Sequence, residues 1–137
     1  MSVSGEELIN IAESARKNAY APYSDFCVGA ALLTKSGRVY TGCNVENASY
    51  GATCCAERNA FGQAIANGEK AFSMIAVVGA PRDQKADTPC MPCGICRQVM
   101  CEFCDDSFEI LIASKKGVLR YTLKELLPSS FQILTED

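Results

Sequence analysis

Residues 89–104, PCMPCGICRQVMCEFC, hold five cysteines, and the chain contains no histidine. Sulfur donors without imidazole point to a thiolate-bound zinc or to thiol–disulfide exchange. A structural zinc takes four protein ligands, whereas a catalytic zinc takes three and keeps one corner for water or substrate. Cys93 and Cys96 lie three residues apart, which puts them on one helical face within a first turn. Cys54 and Cys55 form a second group, and Glu57 stands two residues past Cys55 in CAE. One cysteine from the earlier group and two from the later one make the catalytic count of three. A carboxylate held near such an ion without ligating it can accept and return protons. That argument selects Cys55 over Cys54. Standing alone, Glu57 would read only as a favourable charge at a helix N-terminus; its pairing with PCGIC gives it the chemical reading.

Cys90-x-x-Cys93 and Cys101-x-x-Cys104 also have metal-like spacing. Cys101 and Cys104 fall about two turns or more into the following helix, away from its start, and read as packing or surface thiols. Cys90 could supply a fourth ligand from the loop before the helix. Cys27 and Cys43 fall on strands and read as small packing residues.

These positions depend on the elements that carry them. Ser4 with Glu7 three residues on is a capping-box pattern, and Leu8, Ile11, Ala12, Ala15 and Ala19 recur at helical spacing, predicting a helix over about 4–19. FCVGAALLT (26–34) and RVYTGCNVE (38–46) predict strands joined by a hairpin at 35–37. TCCAERNAFGQAIAN (53–67) predicts a second helix, ended by Gly68. FSMIAVVGA (72–80) is a near-continuous apolar run, as expected of a central strand covered on both faces. A third helix begins near Cys93, with Ile95, Val99 and Phe103 as its apolar stripe. FEILIAS (108–114) and VLRYT (118–122) predict an antiparallel pair, and LKELLP a last short helix.

The order α-β-β-α-β-α-β-β-α predicts an α/β fold, a three-layer α/β/α sandwich around a mixed five-stranded sheet. If strands two, three and four are parallel, right-handed crossovers place the second and third helices side by side on one face. Their N-termini then meet outside the strand ends, where open α/β sheets place their sites. Helix N-termini also favour thiolate.

The chain has 137 residues, 48% of them hydrophobic, and a formal net charge of −3. This fits one domain over 1–137 with a proper core. The largest basic cluster is Lys115-Lys116, too little to grip a phosphate backbone, so no nucleic-acid partner is expected. No apolar run approaches the ~20 residues that span a bilayer, and residues 1–20 lack a signal-peptide core, so a cytoplasmic protein with reduced thiols is expected.

CAERNA (55–60) together with PCGICRQV (92–99) resembles the zinc-dependent nucleoside deaminases, whose Cys/His-x-Glu and Pro-Cys-x-x-Cys arrangement is an established signature. YAPYSDFCVGAALLT, GCNVENASYG and ELLPSSF extend the resemblance to the small, homotetrameric, all-cysteine cytidine deaminases, over about residues 19–131. The resemblance implies that Cys55, Cys93 and Cys96 hold one Zn²⁺ per subunit. It implies that Glu57 moves protons while cytidine or deoxycytidine is hydrolysed to uridine or deoxyuridine and ammonia, a step of pyrimidine salvage. It implies ribose recognition by Asn44 and Glu46, packing of the base by Phe26, and contact of the Ala56 peptide with the pyrimidine edge. Tyr50 and Phe131 match pocket-lining positions, partly across subunit boundaries, and a homotetramer follows.

Three thiolates with Zn²⁺ and hydroxide would total −2, which weakens a Lewis acid. Arg58 is expected to offset that charge through hydrogen bonds to the sulfurs, together with the helix dipoles, and the resemblance implies the same. Arg97 stays open between such a role and a structural or surface ion pair. The chain departs from the family pattern at Asn59, Cys54, Cys90 and the long 81–92 loop. Rival readings are a structural zinc module, a thiol oxidoreductase on Cys93-x-x-Cys96, and a zinc deaminase acting on a related cytosine nucleoside or nucleotide, an RNA base or an aminoacyl nucleoside antibiotic.

Overall fold

A computed structural model describes residues 3–133. The elements are α1 (Gly5–Arg16), β1 (Phe26–Thr34), β2 (Val39–Cys43), a 3₁₀ turn (Tyr50–Ala52), α2 (Ala56–Ala66), β3 (Phe72–Pro81), α3 (Gly94–Phe103), β4 (Glu109–Ser114), β5 (Gly117–Thr122) and α4 (Leu123–Leu126). One five-stranded sheet has the order β2-β1-β3-β4-β5. β1 pairs antiparallel with β2 and β3, β3 runs parallel to β4, and β4 pairs antiparallel with β5. The sheet is therefore mixed, as the sequence predicts, and β2, β3 and β4 share one direction.

Two apolar cores sit on opposite faces of this sheet. Leu8 and Ala12 of α1 pack on Ala31, Leu33, Ala76, Val78 and Leu111. On the other face, α2 and α3 bury Ala60, Phe61, Cys96 and Met100 against Leu32, Ile75, Val77 and Ile110. The alternation of odd and even positions along β1 and β3 between the two cores is the period-two side-chain pattern of a strand covered twice. Phe61 of α2 stacks on Phe103 of α3 at 5.9 Å between ring centroids, and meets Phe72 edge-on at 5.1 Å. α2 and α3 are thus joined by aromatic packing as well as by the sulfurs described below.

Two glycines allow helices to approach strand backbone. A Cβ at Gly42 of β2 would stand 2.6 Å from the Ala60 nitrogen, with the Ala56 carbonyl oxygen closer still. A Cβ at Gly29 of β1 would stand 2.6 Å from the Arg16 nitrogen of α1, with the Ala12 carbonyl oxygen closer. Each helix therefore lies directly on its strand, and only glycine fits at the crossing.

The structure corrects several boundaries. α1 ends at Arg16, not near 19, because Asn18 and Ala19 close back on Ala15 and Arg16 and Tyr20 turns away to bridge Val45. Ser4 accepts from the Glu7 amide at 3.1 Å, the predicted N-cap. β2 stops at Cys43, so Asn44 and Glu46 lie past the strand, and Val45 instead bridges Tyr20 and Cys54. α2 begins at Ala56 rather than 53, since Cys54 is held in that bridge and Cys55 caps the helix. The inward face of α3 is Cys96, Met100 and Cys101, whereas Ile95 is 62% exposed and Phe103 is 39% exposed. The predicted apolar stripe is one residue out of phase with the buried face. Here Cys96 and Met100, four apart, define the buried side. The predicted last short helix is present as α4, and Thr122 and Glu125 cap each other reciprocally at its start.

Candidate active site

Cys55 is the N-cap of α2 and Cys93 the N-cap of α3, so both sulfurs sit where orphaned amides and helix dipoles favour anionic sulfur. Cys96, in the first turn of α3, is buried. The Cys55 and Cys93 sulfurs are 3.8 Å apart, the Cys93 and Cys96 sulfurs 3.5 Å apart, and all three lie within 4.8 Å of one another. A tetrahedral zinc with ~2.3 Å arms to sulfur separates its ligands by ~3.8 Å. Two of the three separations therefore stand close to what such an ion requires, and the third lies within 4.8 Å. No other group of three or more His, Cys, Asp or Glu side chains among the described residues comes together in this way. Cys90 lies outside the trio; its sulfur packs over Gly79, 2.6 Å from where a Cβ there would be.

The trio holds its negative charge unevenly. Hydrogen bonding from Cys96, and then the Arg58 guanidinium, bring the Cys55 thiol down to about 5. Hydrogen bonding to Cys55, reinforced by burial, pushes the Cys96 thiol up. Of this pair, Cys55 carries the charge and Cys96 solvates it. Arg58 Nη2 reaches Cys55 Sγ at 3.6 Å and the Thr53 carbonyl at 3.3 Å. Arg58 Nε is buried with no hydrogen-bond partner among the described residues. A buried orphan donor is costly, and the anionic field of the sulfurs is what the geometry offers against that cost. Arg97, by contrast, forms no ion pair among the described residues. Its Nε donates to the Pro92 carbonyl and its Nη1 to the Leu126 carbonyl, each at 2.8 Å.

Glu57 is 4% exposed, and burial pushes its carboxyl up to about 7. It lines a cleft of about 160 Å³ together with Cys55, Ala56, Cys93, Asn44 and Val28. Cys90 and Met91 form part of the same wall, and burial pushes the Cys90 thiol up to about 12. Thr53 lines this cleft and also a second one of about 280 Å³, bounded by Tyr23, Ser24, Glu46 and Tyr50. The two clefts therefore adjoin.

The sequence-predicted residues divide between these spaces. Asn44 lies in the inner cleft, but its amide is engaged: Oδ1 accepts from the Val28 amide at 2.8 Å and Nδ2 donates to the Phe26 carbonyl at 2.9 Å. Asn44 thereby clasps the start of β1. Glu46 lies in the outer cleft, separate from Asn44, so the two do not share a face as a continuous strand would require. Its carboxylate accepts from the Ser24 hydroxyl and from the Tyr23 and Ser24 amides, which lower its pKa. Phe26 lines a third cleft, with Gly79 and the 84–89 loop. Tyr50 is 82% exposed and Phe131 is 70% exposed, neither enclosed by its own chain. Thr53, Val28 and Met91 are site residues that sequence reading missed. Of these, only Met91, inside PCMPC, carried a positional signal.

Residues 3–112 match the family described as the cytidine and deoxycytidylate deaminase zinc-binding region. The cytidine deaminase of Sporosarcina psychrophila is 46% identical over 129 residues, 92% of this chain and 90% of that protein. That of Halalkalibacterium halodurans is 48% identical over 125 residues, covering 90% and 91%. The crystal structure of cytidine deaminase from Burkholderia pseudomallei superposes with a TM-score of 0.85 at 45% identity, covering 94% of this chain and 100% of that one. With the sulfur trio at zinc spacing and this agreement along most of its length, the chain belongs to the cytidine and deoxycytidylate deaminase zinc-binding family.

Proposed function

We propose that this chain is a zinc-dependent cytidine deaminase, which converts cytidine and deoxycytidine with water to uridine or deoxyuridine and ammonia. The observation that carries this reading is the co-location of three sulfurs at zinc spacing with a buried, non-ligating carboxylate in one cleft. Cys55, Cys93 and Cys96 would hold Zn²⁺. When bound, the ion supplies a Lewis acid that brings the acidity of water toward pKa ~7.

Glu57 accepts a proton from the attacking water and delivers it to ring N3 while oxygen adds to C4. It then carries the second proton to the amino group, which leaves as ammonia. One carboxylate can perform both transfers because it is shielded from bulk solvent and faces a single small cleft. Asn44 fixes the Phe26–Val28 backbone that borders the inner cleft, so the base meets a rigid wall. The Ala56 peptide, first in α2, directs the amide of a helix N-terminus toward the pyrimidine edge. The outer cleft, with Glu46 and Tyr50, suits the sugar: an acceptor-rich carboxylate for hydroxyls beside an aromatic ring. Arg58 offsets the thiolate charge.

Exposed Tyr50 and Phe131 support completion of the site by a neighbouring copy and a homotetrameric assembly. Light scattering after size exclusion tests that assembly. No helix among the described residues is long and apolar enough to cross a membrane, which is consistent with a cytoplasmic enzyme of pyrimidine salvage. The net charge of −3 argues against a nucleic-acid substrate. The test of function is ultraviolet absorbance with cytidine, deoxycytidine, their monophosphates and adenosine, with ammonia measured in parallel. Turnover of the two free cytosine nucleosides is expected. Turnover confined to a monophosphate or to adenosine would overturn the assignment.

A further inference from the structure

We infer that Arg97 is a positioning residue of the metal site, acting through the backbone that presents Cys93. This rests on the reading of Cys93 as a ligand. Pro92 is fully buried, and its carbonyl precedes the N-cap of α3, outside the helical ladder. Leu126 is the last residue of the four-residue helix α4, where helical carbonyls run out of partners. Carbonyls left outside a helical ladder, one on fully buried Pro92 and one on half-buried Leu126, need donors from elsewhere. Arg97 supplies both: Nε bonds Pro92 O at 2.8 Å and Nη1 bonds Leu126 O at 2.8 Å.

The planar guanidinium fork has its two donors in fixed relation, so the two carbonyls are fixed in relation to each other. The backbone amide of Arg97 also closes on the Cys93 carbonyl at 3.0 Å. The peptide on one side of Cys93 is thus tied through a side chain and that on the other through the helix. Little freedom remains for the residue whose sulfur must stand 3.8 Å from Cys55 and 3.5 Å from Cys96. Arg58 and Arg97 consequently divide the work. Arg58 acts on sulfur through charge, and Arg97 acts on the ligand loop through geometry. The distinction is chemical, because a lysine can replace a charge but cannot bridge two carbonyls in a fixed plane.

The test is competition of zinc-loaded protein with a fluorescent chelator, well below the melting temperature, for the wild type and for Arg97→Ala, Arg97→Lys, Arg97→Gln and Arg16→Ala. Arg16 is a control: it also binds backbone carbonyls, those of Ala80, Pro81 and Gln84, but none of them adjoins a sulfur ligand in the chain. Arg97→Ala is expected to weaken zinc ~10–100-fold. Arg97→Lys is expected to fall with the alanine variant, and Arg16→Ala to melt earlier while holding zinc like the wild type. Zinc affinity within threefold of wild type in folded Arg97→Ala overturns the inference, as does full rescue by lysine. Failure of all three Arg97 variants to fold assigns the residue to the fold and overturns it too. Cys93→Ala separates the two readings. If it keeps zinc, the ligand assignment fails; if it loses zinc while the Arg97 variants keep it, only the present inference fails.

Discussion

Gly42→Ala offers the sharpest check on how the fold positions the chemistry. The new methyl would start 2.6 Å from the Ala60 nitrogen and nearer still to the Ala56 carbonyl oxygen, both main-chain atoms of α2. Ordinary contact begins at 3.4 Å, so α2 must retreat from β2 by about 1 Å. Overpacking of this sort costs ~1–3 kcal/mol of stability. The direction matters more than the cost, because Cys55, Ala56 and Glu57 ride on the end of α2 that moves while Cys93 and Cys96 ride on α3. A misplacement of ~1 Å at a catalytic centre costs on the order of 10²-fold in rate.

The matched control is Gly29→Ala, whose methyl meets backbone of α1 at a similarly short distance on the opposite face of the sheet. Both variants should melt earlier. Only Gly42→Ala should lose turnover ~100-fold and release zinc more readily to a chelator, as followed by calorimetry, absorbance at saturating cytidine and metal analysis. A folded Gly42→Ala protein with wild-type turnover and zinc affinity would refute the claim that the β2–α2 crossing sets the site.

Three other outcomes are expected. Glu57→Gln should bind zinc stoichiometrically, since the carboxylate is not a ligand, and lose ~10²–10⁴-fold in kcat; metal analysis beside steady-state kinetics checks both halves. Arg58→Ala should keep the fold by circular dichroism and lose ~10–100-fold in zinc affinity or turnover, because Cys55 loses the cation 3.6 Å away. Cys90→Ala should leave one zinc per chain with unchanged affinity, read by chelator competition; a weaker site would mean that Cys90 ligates after all.

Much of this architecture is local in origin, and that part was legible. The order of elements follows from periodicity and stop signals. The shared direction of β2, β3 and β4 then obliges α2 and α3 to present their first residues together. Cys55, Cys93, Cys96 and Glu57 could be chosen from spacing because each occupies the first turn or cap of its helix. What was not legible depends on partners distant in the chain. Asn44 looked like a free amide for a sugar, yet its amide is engaged by β1, sixteen and eighteen residues back. For Arg97 the sequence leaves a role at the sulfurs and an ion pair both open, and its partners are carbonyls, one of them 29 residues on. The buried face of α3 is hard to read because two of its three buried positions are cysteine, which serves as both core and ligand. Cys54 was placed in a helix, although one bridge to Val45 holds it out.

The stacked rings of Phe61 and Phe103 have a bearing on assembly order. Phe103 closes α3 nine residues past Gly94, about 14 Å along the axis at helical rise. α2 and α3 therefore resemble a pair of tongs, riveted by aromatic rings at the handle and carrying the three sulfurs at the jaw. Because that rivet is carbon packing, the two helices are expected to stay joined when the metal is stripped by a chelator, in contrast to small zinc modules that unfold without their ion.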